Sequence, residues 1–302
     1  MPTNYHSYAS VSDLRDFLSG TNYSSNWTAD TGALRRILGS ASRRIDNYVG
    51  GDLNSFGPVI QTLNYDIGMD SYLRNDPRNR LPRNTLRPSD MAVNIIPLPW
   101  ICSISSVTSY KETDRSSSES LTEGYGADYF LEPGNTLGPK YMLKMNEDSS
   151  KGFYSGQQTL AIAGTWGWQN TTTTATTLNG AITDAAATTV TVASGAAVSE
   201  GNTILVGTEQ MFVSSISSNN LTVVRGVHGT TAATHSDAAV VSIQTYPDAV
   251  TQACLEIAHY IYRDRDLGFD ERINDPAKVD INFSLRAIDP FVAHSRTAGA
   301  VF

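Results

Sequence analysis

Apolar positions follow two different periods along this chain, and the switches between them mark its organisation. Near the N-terminus the period is helical. Val11, Leu14 and Leu18 share one face of a stretch from Ser10 to Gly20, with Ser10 as the cap and Asp13 three residues on. From Asp30 to Val49 the signal is stronger. Leu34, Ile37, Leu38, Ala41, Ile45, Tyr48 and Val49 recur at helical steps, and Gly50-Gly51 supplies the stop. Arg36 and Arg43 stand opposite that stripe, either as a solvated face or as a contact with an acidic neighbouring subunit. A further helix is expected after Tyr246. Pro247 takes its first position, and Val250, Ala253, Cys254, Ile257, Ala258 and Ile261 form its buried stripe.

Between these helices the period drops to two. Residues 58–67 alternate weakly, as a strand does. VNIIPLPW, residues 93–100, reads as a strand stopped by Pro97 and Pro99, and residues 103–111 as a separate strand. Tyr129 with Leu131, then Tyr141, Leu143 and Met145, alternate again. TLAIAGTWGW, residues 159–168, starts as a buried strand and ends in a Gly- and Trp-rich corner. Together these predict a small sheet or barrel. The Arg- and Pro-rich run NDPRNRLPRNTLRP, residues 75–88, reads as an exposed loop, with contact to DNA or an acidic partner as the sharper alternative.

Composition changes the picture at residue 170. TTTTATTLNGAITDAAATTVTV, residues 171–192, is almost all Thr and Ala, and Arg225 is the one Lys or Arg from 170 to 243. Strand signals persist nonetheless at 188–193, 203–206, 211–216, 221–225 and 239–243. Thr and Val suit a pleated, half-buried surface, so this segment is expected to be a self-contained all-β module, with its first Thr residues as a linker. After it, residues 277–302 lack periodicity. They are expected to form an extended arm with Phe283, Leu285, Ile288, Phe291 and Phe302 as apolar anchors that need a partner.

The chain has 302 residues, 17% of them charged, with a formal net charge of -8. That charge opposes general DNA binding, because phosphates require a basic face, but it suits a surface past which DNA slides without sticking. Cys102 and Cys254 are expected as free thiols, with one bridge as the alternative. The segment MPTNYHSYAS has no basic region followed by an apolar one, so no signal peptide is expected, and no apolar run approaches the roughly 20 residues of a membrane span. The expectation is a soluble protein made and used in a cytoplasm, with no membrane contact.

No catalytic motif is found: GYGADY is not a dinucleotide loop, and no phosphate loop, nucleophile elbow or zinc helix occurs. The chain is therefore not expected to be an enzyme or to hold a metal or cofactor. His228, His235 and Glu209 make an imaginable metal trio, with a structural role preferred. Asp264 and Asp266 read as solvated helix-end charges rather than a cation site. Trp166 and Trp168 read as core and corner packing, with stacking on a sugar or base as the alternative.

The order of elements carries one resemblance. The helix ALRRILGSASRRIDNYVGGDL is followed by IIPLPWICSISSVTSY, then GADYFLEPG, YMLKM, TLAIAGTWGW and the helix YPDAVTQACLEIAHYIYRDRD. Over residues 8–168 and 244–302 this resembles the head–tail connector, or adaptor, proteins of tailed bacteriophages. TILVGTEQMFVSSISSNNLTVVRGVHGTTAATH, residues 203–235, is similar to a small β module inserted in phage structural proteins. Its glycines are read as serving turns with positive φ.

The resemblance implies an α+β fold. A helical adaptor core with a small β-sheet would span 1–168 and 244–276. An inserted all-β module, barrel or sandwich-like, would span 169–243, and a C-terminal arm 277–302. It implies a structural virion protein at the neck, assembled in the host cytoplasm. The family forms a ring, usually a dodecamer, under the portal, which extends the DNA channel and docks the tail or stopper protein. The arm residues Phe283, Leu285, Ile288, Phe291 and Phe302 would then contact portal, Arg36 and Arg43 the adjacent subunit, and the β module capsid or decoration protein. The rival expectation is a tail or fibre adhesin that binds a host surface glycan through the β module.

Overall fold

A computed structural model describes residues 6–19, 31–50, 55–67, 95–134, 138–154, 156–266 and 281–291. The chain divides into two compact units: Met1–Gly57 with Asn170–His294, and Pro58–Gln169 with Ser295–Phe302.

The second of these units is built on an antiparallel sheet. Its strands are β1 (Val59–Ile67), β2 (Ile95–Tyr110), β3 (Ser118–Leu121), β4 (Tyr129–Glu132), β5 (Lys140–Met145) and β6 (Gly156–Trp166). The order is β1-β6-β2-β5-β4, with β3 also paired to β2. Pro97 and Pro99 do not stop a strand, as expected from the sequence; they lie inside the 16-residue β2. The reason is the pairing. Up to Pro97 this strand bonds β5, while its β6 pairing begins only at Ile101, so the prolines occupy a stretch where one edge needs no N–H donor. Past it, β2 carries two bulges opposite β6, around Ile104↔Gly164. Trp100, Trp166, Ile96, Ile101 and Leu143 form the buried centre of this unit.

The first unit holds β7 (Thr172–Thr177), β8 (Thr189–Thr191), β9 (Thr203–Val206), β10 (Glu209–Ser217), β11 (Asn220–Val224) and β12 (Val240–Gln244). Their order is β7-β12-β9-β10-β11-β8. An antiparallel bridge between Leu178 and Val192, with Asn179 N–H on the Thr191 carbonyl at 2.9 Å and Ala193 N–H on that of Thr177 at 2.9 Å, joins the last strand to the first. The sheet thus closes into a barrel around an aliphatic core that includes Val190, Val192, Ile204, Val206, Met211, Val213, Leu221 and Val223. The first Thr residues are not a linker: Thr172–Thr177 form a strand paired along β12. Thr172–Thr174 are exposed and Ala175 packs against the core.

Four α-helices are described in the same unit: α1 (Val11–Ser19), α2 (Thr31–Val49), α3 (Asp248–Asp266) and α4 (Ile281–Arg286). Ser10 caps α1, its Oγ accepting from Asp13 N–H at 3.2 Å while Asp13 accepts from Ser10 N–H at 2.8 Å. Pro247 lies just before α3, where its carbonyl accepts from Val250 and Thr251. The helices pack on one another and on the barrel. Val11 N–H donates to the Glu200 carbonyl at 2.9 Å, Ser12 N–H to Ser199 Oγ at 3.2 Å, and the Arg35 guanidinium to the Ser214 carbonyl. Strand β10 is buried on both faces from Glu209 to Val213.

This corrects the expected fold class. The described chain is not an α+β protein with a helical adaptor core and a small sheet. It is mostly strand, with two antiparallel sheets of six strands each. The helical periodicities were real, but the prolines and the Thr-rich run hid how much of the remainder pairs. The expected extended arm is corrected as well: its described part, 281–291, is α4, a turn at 287–288 and helix again at 289–291. No described helix is long and apolar enough to cross a membrane.

Candidate functional site

Helix α2 presents two chemically distinct faces. Its buried face carries Leu34, Leu38, Ala41 and Ile45, and among them the polar Ser42 and Asp46. A strap, His6–Ser10, is buried against that face. Tyr8 N–H donates to Ser42 Oγ at 3.1 Å, the Tyr8 hydroxyl donates to Asp46 Oδ1, and His6 Nε2 lies 2.9 Å from Asp46 Oδ2. Tyr8 also meets Phe56 and Tyr246 edge-on at 5.7 and 4.9 Å. Burial, reinforced by the Asp46 carboxylate, raises the Tyr8 pKa well above that of a free phenol. A phenol so held is a donor at all ordinary pH, and its role here is to satisfy Asp46. Nothing in the period of the sequence pointed to the strap, because it is neither helix nor strand.

The outward face of α2 carries Arg36, Ser40, Arg43, Arg44 and Asn47, all exposed. Arg36 and Arg43 thus lie where the sequence placed them. Arg44 was missed, although it stands eight residues from Arg36 and so on the same side. Gly39 adjoins this face, and among the described residues nothing lies within 4 Å of where its Cβ would stand.

The barrel residues form a structural knot. Glu209 is fully buried and accepts from Arg225 Nε at 2.6 Å, Arg225 Nη2 at 2.7 Å, His235 Nε2 at 2.8 Å, Gly226 N–H at 3.1 Å and Ala233 N–H at 3.0 Å. Burial pushes its pKa up, but these donors, Arg225 foremost, outweigh it and hold the carboxyl at about 2. Arg225 reaches on to the carbonyls of Ala187 and Ala233 at 3.0 and 2.6 Å, so one ion pair ties two loops to the start of β10. His228 turns elsewhere: its Nδ1 meets Gln210 Oε1 at 2.8 Å and its ring lies 5.7 Å from that of His6. Gly226, at φ 59°, makes the turn between Arg225 and these loops. Among the described residues no group of three or more His, Cys, Asp or Glu is arranged to hold a metal ion.

Trp166 is fully buried, its Nε1–H donating to the Gln61 carbonyl at 2.8 Å, and Trp168 packs edge-on against Trp100 at 5.0 Å. Trp166 therefore offers no open stacking face, and Trp168 is half-buried. In the same unit Tyr125 is fully exposed at the tip of a turn held by Asp128, which accepts from Thr122, Ser149 and Lys151. Cys254 is buried beside Ser42, at 3.5 Å, and burial pushes its thiol up to about 12. Cys102 is also a free thiol. Leu285 and Ile288 are buried, and Phe291 meets Phe56 edge-on at 5.5 Å, so these arm residues serve their own unit's packing. Phe283 lies in α4, and Phe302 and residues 75–88 lie outside the described residues. Asp264 and Asp266 fall in the last turn of α3. No family model, curated protein or solved structure matches the chain.

Proposed function

We propose that this chain is a structural virion protein, a head–tail connector. In this reading copies form a ring under the portal of a tailed bacteriophage, extend the DNA channel and give the tail a docking surface. The observation that carries it is the meeting of two of the helices in the order of elements that carries the resemblance. They are 212 residues apart at Ser42 and Cys254, yet they pack together, with α4 beside them. The reading no longer includes a helical core. The helices form a small layer laid on a barrel. The net charge of -8 is in keeping with a channel wall that does not hold DNA.

The test is capture of the full-length chain by a purified portal ring, followed by electron microscopy of the complex. Ring-shaped density stacked on the portal is the expected result. No capture by a portal that still accepts its known tail factors overturns the reading. Deleting the residues after Ala277 is a poor substitute, because it removes the buried Leu285 and Ile288 and so perturbs the fold itself.

A further inference from the structure

The outward face of α2 is basic on a chain that is otherwise acidic. Arg36, Arg43 and Arg44 are exposed there, with Ser40 and Asn47 between and beyond them and no acid on that side. Without these arginines the rest of the chain is more negative still than the overall -8. A molecule with a basic stripe on a body of net negative charge is complementary to itself.

Helix α3 carries the matching feature. Asp248 and Gln252 are exposed, Glu256 is half-buried, and Gln252 Nε2 donates to Glu256 Oε1 at 2.9 Å, which fixes the acid along the helix. Arg36 to Arg44 and Asp248 to Glu256 are both eight-residue spans, so each pair of charges is about 12 Å apart along its axis. Two such helices laid side by side bring both pairs into register together.

Gly39 is the independent observation. It sits in the interior of α2, beside Arg36 and Arg43, where glycine costs about 1 kcal/mol relative to alanine. Among the described residues no atom approaches the position its Cβ would take within 4 Å, so packing inside the described chain does not require glycine there. Close approach of another helix would.

We infer that the α2 face around Gly39, Arg36, Arg43 and Arg44 docks on the Asp248–Glu256 face of α3 in a second copy of this chain. The inference rests on the ring reading and names the surface through which copies meet. DNA is the weaker occupant: three arginines on an acidic body make a small electrostatic footprint, and no phosphate contact would explain Gly39.

The test is self-association of the full-length chain by sedimentation velocity over a concentration series. Wild type is expected to associate, less so at high salt. Arg36→Glu with Arg43→Glu and Arg44→Glu, and separately Asp248→Lys with Glu256→Lys, are each expected to weaken association at least tenfold. An equimolar mixture of the two variants is expected to restore it. Gly39→Leu, which changes no charge, is expected to weaken association at least tenfold with an unchanged circular dichroism spectrum.

A wild type that stays monomeric throughout overturns the inference, while portal capture separately decides the connector reading. Association indifferent to these variants overturns it too. A mixture that fails to restore association removes α3 as the partner face. Duplex DNA binding lost in the arginine variant, with self-association intact, assigns the stripe to DNA instead.

Discussion

The barrel of residues 172–244 and the sheet of residues 59–166 each have six antiparallel strands, yet their polar anchors lie at different depths. In the barrel the anchor is Glu209, with no exposed surface, paired to an Arg225 side chain only 6% exposed. In the sheet it is Asp128, 11% exposed at the side chain, paired to a Lys151 that is 35% exposed. The apolar parts differ in the opposite sense. The barrel core is aliphatic with one methionine, whereas the sheet unit is centred on Trp100 and Trp166. A closed barrel of small strands has little room for large rings, and a buried ion pair supplies the fixed geometry that bulky packing supplies in the sheet. The lesson is that a buried carboxylate does most where apolar volume is scarce.

The largest effect expected from breaking this contrast is at Glu209. Glu209→Ala leaves the Arg225 guanidinium buried without its partner and frees the loops at 184–187 and 225–235. A loss of about 3–5 kcal/mol is expected, because an uncompensated buried charge is costly. Hydrogen exchange read by mass spectrometry checks both size and place. Protection should collapse across residues 203–235 and persist in β2 and β6. Equal loss in both sheets would mean that the knot does not act locally.

A pair of glycines sharpens the comparison at intermediate size. In the barrel, a Cβ on Gly195 would stand 2.0 Å from the Ser218 carbonyl oxygen; in the sheet, one on Gly164 would stand 2.4 Å from that of Ser103. Both clashes are with backbone, so neither is relieved by turning a side chain. Gly195 lies in a short helical turn between strands, whereas Gly164 lies mid-strand, facing the bulged β2. Gly164→Ala is therefore expected to cost about 3 kcal/mol and Gly195→Ala nearer 1 kcal/mol, since overpacking is tolerated best where a loop can shift. Urea unfolding of the two variants should rank them in that order, and the reverse order would place the rigid point in the barrel.

How much of this was legible in the sequence depends on whether an element announces itself locally. Helices α1, α2 and α3 did, through their stripes and the Ser10 cap. The barrel strands β9 to β12 did, through short apolar runs and a turn at Gly207, which has φ 60°. Strand β7 did not, because six residues of Thr and Ala have no apolar rhythm; pairing with β12 defines it. Strand β2 was split in error because a proline forbids a hydrogen bond only where a partner strand is present, and partners are not local. The fold class failed through the sum of such long-range pairings. At the site level, the arginine face of α2 was readable from period, with Arg44 overlooked. The strap around Tyr8 and the five-donor environment of Glu209 were not, since they join segments far apart in the chain.

The smallest effect separates the two anchors by pH. Both carboxyls titrate lower in the folded protein than in the unfolded chain. Burial works against this in each case, but hydrogen bonds and the partner cation prevail, holding Glu209 at about 2 and Asp128 well below its ordinary value. A depressed pKa contributes stability that is fully present above the unfolded value, near 4.5 for Glu and 3.8 for Asp, and is lost as pH falls through the folded one. For the buried Glu209 that contribution is about 3 kcal/mol. For Asp128, next to a partly exposed lysine that water and salt screen, about 1 kcal/mol is expected. Asp128→Asn should therefore cost about 1 kcal/mol at pH 7 and less at pH 2, and Glu209→Gln should flatten the acid limb of the barrel alone. Adding 0.5 M salt at pH 7 should shrink the Asp128→Asn penalty and leave that of Glu209→Gln unchanged, because screening reaches an exposed pair and not a buried one. Denaturant titrations at both pH values and both salt concentrations measure this. A salt-sensitive Glu209 would show that solvent reaches the barrel knot, and the contrast in depth between the two sheets would then fail.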